Sequence, residues 1–233
     1  MAKVGILFLH GYTGGRFELE PTFKYLKKRY DFDYEFPVYP GHGYTLSLVG
    51  LAGDDWYQEA EKAYFNLTKR VDEIYIIGYS MGGVFASYLA QNYHVDKLIL
   101  IAPAFDHTKI SKLHRLNLSS SVVKDHLRYN MIRRVSPRLK NIPLRAMNEF
   151  VKIVEAKTGD LRKVTCPVIF IHGKIDLLVP YQASVKAHEQ MPNSQLFLLE
   201  HGPHLLMFTE EKLLEANILV ERFCFKGSQE KSL

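Results

Sequence analysis

The chain has 233 residues, 47% of them hydrophobic, and its 30 Lys and Arg outnumber its 25 Asp and Glu to give a net charge of +5. Aromatic and β-branched residues are too plentiful for an intrinsically disordered chain. Two cysteines, Cys166 and Cys224, are too few for a disulfide framework, and no apolar run approaches the ~20 residues of a membrane span.

The run from Val4 to Leu9 is too short for the apolar region of a secretory signal and lacks a small-residue cleavage site, so it is expected to be a buried first strand. Both thiols are then expected to be free, in a cytoplasmic protein. Residues 19–29 have helical spacing and end in Lys27, Lys28 and Arg29, cations that complement a helix C-terminus. Residues 32–38 alternate as a strand does. Asp54 or Asp55 is expected to cap a helix reaching about Arg70. Strands follow at 74–77 and 97–102 with a helix at 84–93 between them. The pattern resumes with a strand at 168–171, a helix at 181–190, a strand at 195–199 and a helix at 210–225, and it closes on a polar tail, 226–233. Alternating strands and helices predict an α/β fold with a mostly parallel sheet flanked by helices.

Residues 104–163 interrupt this order. They hold 14 basic and 5 acidic residues, net +9, leaving −4 for the rest of the chain. The expected organisation is a core formed by 1–103 and 164–233 with 104–163 as a small helical cap. Two apolar stripes run through that segment: Val123, Leu127 and Met131, and then Met147, Phe150, Val151 and Val154. Packing on the core accounts for most such residues. A ligand pocket in such a fold is also mostly apolar, which makes Met131 and Phe150 candidate substrate contacts. The basic residues are interspersed with apolar ones and match no nucleic-acid-binding motif, so no nucleic-acid partner is expected.

The chemistry is carried by Gly78-Tyr79-Ser80-Met81-Gly82, a G-x-S-x-G between a predicted strand and a predicted helix. A strained turn there lifts a serine hydroxyl above the sheet, with glycines leaving room around it. Ser80 is the candidate nucleophile. A serine needs a base, and the base needs an acid to orient it. Asp176, just past the strand at 168–171, is the candidate acid, with Asp106 as its rival. His188 falls within a predicted helix. His201 and His204 share the loop after the last predicted strand. His204 is the candidate base because it directly precedes the apolar turn 205–208, and His201 is its rival. With no third ligand or H-E-x-x-H pattern, the two are not expected to bind metal. Backbone N–H groups of Tyr12, in His10-Gly11-Tyr12-Thr13-Gly14-Gly15, and of Met81 are the candidate oxyanion donors.

Those segments, with Pro40-Gly41-His42-Gly43, Gly53-Asp54-Asp55-Trp56, His172–Asp176 and the His204 loop, resemble the small bacterial carboxylesterases related to monoacylglycerol lipases. The resemblance implies the α/β-hydrolase fold, a cap in the place where 104–163 falls, and a structural role for His42. The reaction it implies is hydrolysis of short- to medium-chain acyl esters by Ser80, Asp176 and His204 through an acyl-enzyme, without metal or organic cofactor. Monoacylglycerol lipase, a peptidase or amide hydrolase, and a slow hydrolase-derived ligand receptor are the rival readings. A carboxylate nucleophile, as in dehalogenases and epoxide hydrolases, is disfavoured by Ser80. The state of assembly is open between monomer and homodimer.

Overall fold

A computed structural model describes residues 2–106 and 142–226. Six strands form one parallel sheet: β1 (Val4–Leu9), β2 (Asp33–Glu35), β3 (Glu73–Tyr79), β4 (Lys97–Ile101), β5 (Val168–Gly173) and β6 (Ser194–Leu199). Their order is β2-β1-β3-β4-β5-β6. The described helices are α1 (Glu20–Lys27), α2 (Gly53–Thr68), α3 (Met81–Asn92), α4 (Leu144–Thr158), α5 (Gln182–Gln190) and α6 (Glu210–Glu221). Among the described residues no helix is long and apolar enough to cross a membrane.

The apolar runs are continuous because the central strands are covered on both faces. Leu7, Leu9, Ile74, Ile76, Leu98, Leu100, Val168 and Phe170 point into one core, which also takes Trp56, Phe85, Phe150 and Ala187. Their neighbours Ile6, Phe8, Tyr75, Ile77, Ile99, Ile101, Ile169 and Ile171 point into the other, with Leu26 and Val220. Helices α2 to α5 therefore cover one face, and α1 and α6 the other.

Three local expectations are adjusted. The strand expected over 32–38 pairs with β1 only across Asp33–Glu35. Pro37 has no N–H for the ladder, and edge strands end at such residues. Helix α2 begins after Ala52, and Asp55 serves that end from its third position, its carboxylate accepting the Ala52 N–H at 2.8 Å. Its reach back to the preceding N–H is half of a capping box. Helix α3 starts at Met81, directly after Ser80, three residues earlier than expected.

The stripe Met147, Phe150 and Val154 is buried on α4, which packs against α2 and α3. A methyl on Gly53 would stand 2.5 Å from Ile153 Cβ, so the glycine permits this close helix crossing. From β1 the chain turns outward to β2 and then returns past β1 to β3. That reversal makes the carboxyl ends of β1 and β3 the switch point of the sheet, the usual place for a site in an open α/β sheet. In register, Leu9 pairs with Gly78, so the segments following both strands emerge side by side.

Candidate active site

Ser80 sits between β3 and α3 with φ 53° and ψ −117°, a strained conformation for a residue with a side chain. Its backbone is pinned: its N–H donates to Ile101 O at 3.0 Å, and its carbonyl accepts from Gly83 and Ala104 at 3.0 and 3.1 Å. The flanking glycines are needed for contact. A methyl on Gly78 would stand 2.5 Å from Gly82 O, and one on Gly82 would collide with Leu9 O. The tight turn thus presses the start of α3 onto the end of β1.

Ser80 Oγ lies 3.1 Å from His204 Nε2, and His204 Nδ1 lies 2.6 Å from Asp176 Oδ2. The tautomer follows from the acceptor: Nδ1–H donates to the carboxylate, leaving Nε2 to accept from the Ser80 hydroxyl. The Tyr79 hydroxyl donates to His204 O at 3.1 Å and steadies the loop. All three side chains are buried. Asp176 Oδ1 accepts the N–H groups of Leu178 and Val179, each at 2.8 Å, and Oδ2 also lies 3.1 Å from His172 Nε2. Burial pushes the Asp176 carboxyl up, but attraction to His204 and the imidazole donors of His172 and His204 outweigh it. The group is held far below the usual carboxylate range.

The segment after β1 abuts this chain of groups. A methyl on Gly11 would meet Ser80 Cβ at 3.2 Å. The Gly14 N–H donates to Gly11 O at 3.1 Å, and the Gly11 N–H donates to the buried Glu18 carboxylate at 2.8 Å. Among the described residues neither Tyr12 N–H nor Met81 N–H has a backbone acceptor, as an oxyanion would require of its donors. The Tyr12 ring stacks on Phe150 at 4.5 Å and leans on Trp56 and His42 at 5.5 and 5.9 Å. Phe150 is buried in that stack, and Met131 lies outside the described residues. Burial raises the Tyr12 phenol well above its ordinary range.

The remaining candidates lie apart from this contact. His201 is exposed, in a turn, with φ 55°. Asp106 is half-buried, and the carboxylate at His204 Nδ1 is that of Asp176. His188 pairs with Ser194 Oγ at 2.7 Å on α5. His42 is buried within the aromatic cluster, its Nδ1 3.1 Å from Pro40 O. Among the described residues no three His, Cys, Asp or Glu side chains are placed to hold a metal.

Sequence reasoning did not single out three further groups: His10, Glu18 and His172. The Tyr39 N–H donates to His10 Nε2 at 3.2 Å, so His10 Nδ1–H donates to Gly11 O, 2.8 Å away. Burial, then the charge of His42, holds this imidazole well below its ordinary pKa. The signal available for His172 was its place in His172-Gly173-Lys174-Ile175-Asp176. For Glu18 the sequence carried none, since an acid at the start of a predicted helix reads as solvated.

A family profile described as serine aminopeptidase S33 (Hydrolase_4) matches residues 3–212. The chain is 24% identical over 184 residues to the thermostable monoacylglycerol lipase of Bacillus sp. strain H-257, covering 76% of this chain and 72% of that protein. It is 20% identical over 220 residues to a carboxylesterase of Bacillus subtilis strain 168, covering 89% and 87%. Among solved structures, a metagenome-derived lipolytic enzyme from a study of LipS and LipT superposes with a TM-score of 0.73 at 19% identity, covering 95% of this chain and 96% of that one. An esterase from Exiguobacterium antarcticum superposes with a TM-score of 0.67 at 19% identity, covering 96% and 93%. The fold is the expected α/β-hydrolase fold, and the chain belongs to the Hydrolase_4, or serine aminopeptidase S33, family.

Proposed function

We propose that the protein is a serine carboxylesterase acting on short- to medium-chain acyl esters through an acyl-enzyme. The observation that supports this reading is the unbroken chain Ser80 Oγ, His204 Nε2, His204 Nδ1, Asp176 Oδ2, lying against the Tyr12 segment. Ser80 Oγ attacks the acyl carbonyl while His204 Nε2 takes its proton. Asp176 keeps the imidazole in the tautomer that can do so and stabilises its charged form. The Tyr12 and Met81 N–H groups receive the oxyanion, His204 returns the proton to the departing alcohol, and the Ser80 ester forms. Water then repeats the sequence with His204 as base, releasing the acid. No step needs a metal or organic cofactor.

Segment 104–163 is proposed as a cap, with Met131 lining the acyl pocket and Phe150 shaping it indirectly, from behind the Tyr12 ring on which it stacks. Each buried CH₂ contributes up to ~0.8 kcal/mol until the pocket is full. With p-nitrophenyl esters of increasing length, kcat/KM is expected to rise, peak at a short or medium chain, and fall. Met131→Ala or Phe150→Ala should move that peak. Both free thiols among the described residues support a reducing, cytoplasmic setting.

Ser80→Ala should abolish turnover and fluorophosphonate labelling while leaving the circular dichroism spectrum intact. Full labelling of that variant would remove Ser80 as nucleophile. The family description favours one second reading, an aminopeptidase. Comparison of an acyl ester with the matching amino-acid p-nitroanilide decides between them.

A further inference from the structure

We propose that His172 is a positioning residue of this site: its Nε2–H, aimed by the Ser184 hydroxyl, ties the Asp176 carboxylate in the orientation that holds His204. The inference rests on reading Ser80, His204 and Asp176 as the catalytic groups.

His172 is the penultimate residue of β5 and is completely buried. Its Nε2 faces two acceptors, Asp176 Oδ2 at 3.1 Å and Val179 O at 3.2 Å. A ring nitrogen between two acceptors carries the proton. Nδ1, 2.7 Å from Ser184 Oγ, is then the acceptor, and the buried Ser184 hydroxyl on α5 is the donor. The hydroxyl therefore selects both the tautomer and the ring orientation of His172.

The consequence falls on Asp176. Its Oδ2 receives two imidazole N–H groups, His204 at 2.6 Å and His172 at 3.1 Å, while Oδ1 receives Leu178 and Val179. Four donors surround one carboxylate, so rotation about its Cβ–Cγ bond would break all of them. Without His172, Oδ2 keeps a single donor, on the very side chain whose orientation it is meant to set. A buried carboxylate that loses a donor also loses part of what offsets its desolvation. The chain of contacts thus runs from Ser184 in α5 through His172, Asp176 and His204 to Ser80 at the head of α3. His172 touches no reacting atom, which makes its role indirect.

The alternative is that His172 merely fills the space between β5 and α5. Three variants separate the two. His172→Phe keeps a ring and removes both nitrogens. His172→Gln restores an N–H at similar reach. Ser184→Ala keeps the imidazole and removes the group that aims it. Each is measured for kcat and KM on p-nitrophenyl butyrate, for fluorophosphonate labelling rate, and for the downfield proton resonance of the His204–Asp176 hydrogen bond.

His172→Phe is expected to lower kcat by roughly 10–100-fold, by analogy with the loss of an outer partner of a metal-bound imidazole. KM should stay within about twofold, labelling should slow in parallel, and the resonance should weaken. His172→Gln should recover most of the loss, and Ser184→Ala should show a smaller loss of the same kind. Wild-type kcat and labelling in a folded His172→Phe, or equal losses in the Phe and Gln variants, would overturn the proposal. Should His172→Phe fail to fold, Ser184→Ala decides: an unchanged kcat, labelling rate and resonance there also overturns it. Asp176→Asn separates this failure from failure of the site reading. If Asp176→Asn is severely impaired while His172→Phe is fully active, only the present inference falls. If Asp176→Asn is fully active, the site reading falls and carries this one with it.

Discussion

Gly173 and Gly202 pack backbone against backbone: a methyl built on Gly173 would collide with the Gly202 carbonyl oxygen, and one on Gly202 would stand 2.8 Å from Gly173 Cα. The contact joins the segment that bears Asp176 to the loop that bears His204. Hydrogen bonds from Lys174 N to Leu199 O and from Ile175 N to Gly202 O, at 3.0 and 3.1 Å, close the seam. The 2.6 Å separation of Asp176 and His204 depends on this absence of side chains.

Gly173→Ala should therefore wedge the two segments apart. Overpacking of this kind costs about 1–3 kcal/mol, so a fall in the unfolding midpoint is expected, together with a loss of kcat larger than the stability change explains. Thermal unfolding and steady-state turnover at a temperature where the variant is fully folded measure both. A variant as active as wild type would show that the loops can separate without disturbing the site.

The two loop histidines should behave differently. His204→Ala should cost several orders of magnitude in kcat, as loss of a general base acting with a serine does. His201→Ala removes an exposed side chain and should leave kcat within about twofold. Reversed effects in a side-by-side assay would assign the base to His201.

Glu18 should matter without approaching the substrate. Its carboxylate holds the Gly11 N–H at 2.8 Å, and a methyl on Gly14 would collide with it. Glu18→Ala leaves that buried N–H without its carboxylate acceptor, a loss of about 1–3 kcal/mol, and frees the segment that carries Tyr12. A lower unfolding midpoint and a kcat reduced more than KM is altered are expected, with Glu18→Gln intermediate. Unchanged kcat in both variants would detach Glu18 from the Tyr12 segment's function.

Two carboxylates with depressed pKa values should set how the fold responds to acid. Asp176 is held far below its ordinary range, against the effect of burial, by His204 and His172. Asp33 is lowered to about 2, first by its hydrogen bond with Arg70. A carboxylate with a depressed folded-state pKa contributes stability that is fully present above the unfolded value of about 3.9 and is lost as pH falls through the folded value. Neither group weakens the fold between pH 7 and 5. The unfolding midpoint and the circular dichroism spectrum should therefore stay constant from pH 7 to pH 5, and the midpoint should fall as pH drops below about 4. A midpoint that stays constant below about pH 4 would contradict these carboxylate contacts.

Much of the molecule was legible in the sequence because it depends on local pattern. Runs such as Ile74–Ile77 and Val168–Ile171 are apolar at every position because they are covered on both faces, and that alone marks a parallel sheet between helices. The G-x-S-x-G turn is equally local: its glycines are demanded by contacts within a few residues and with the neighbouring strand. Choices between chemically equivalent groups belong to the tertiary structure. His201 and His204 are three residues apart on one loop, and a positive φ at His201 sends it to solvent while the seam at Gly173 and Gly202 turns His204 inward. The α4 stripe reads the same whether it faces substrate or protein, and only its crossing over Gly53 places it on α2 and α3. His172 and Glu18 met their partners because the chain folds back, after β5 and around Gly11, to bring a buried polar atom within hydrogen-bond reach of another. Periodicity is a property of neighbours along the chain and can be read there, whereas the pairing of buried polar groups is a property of neighbours in space.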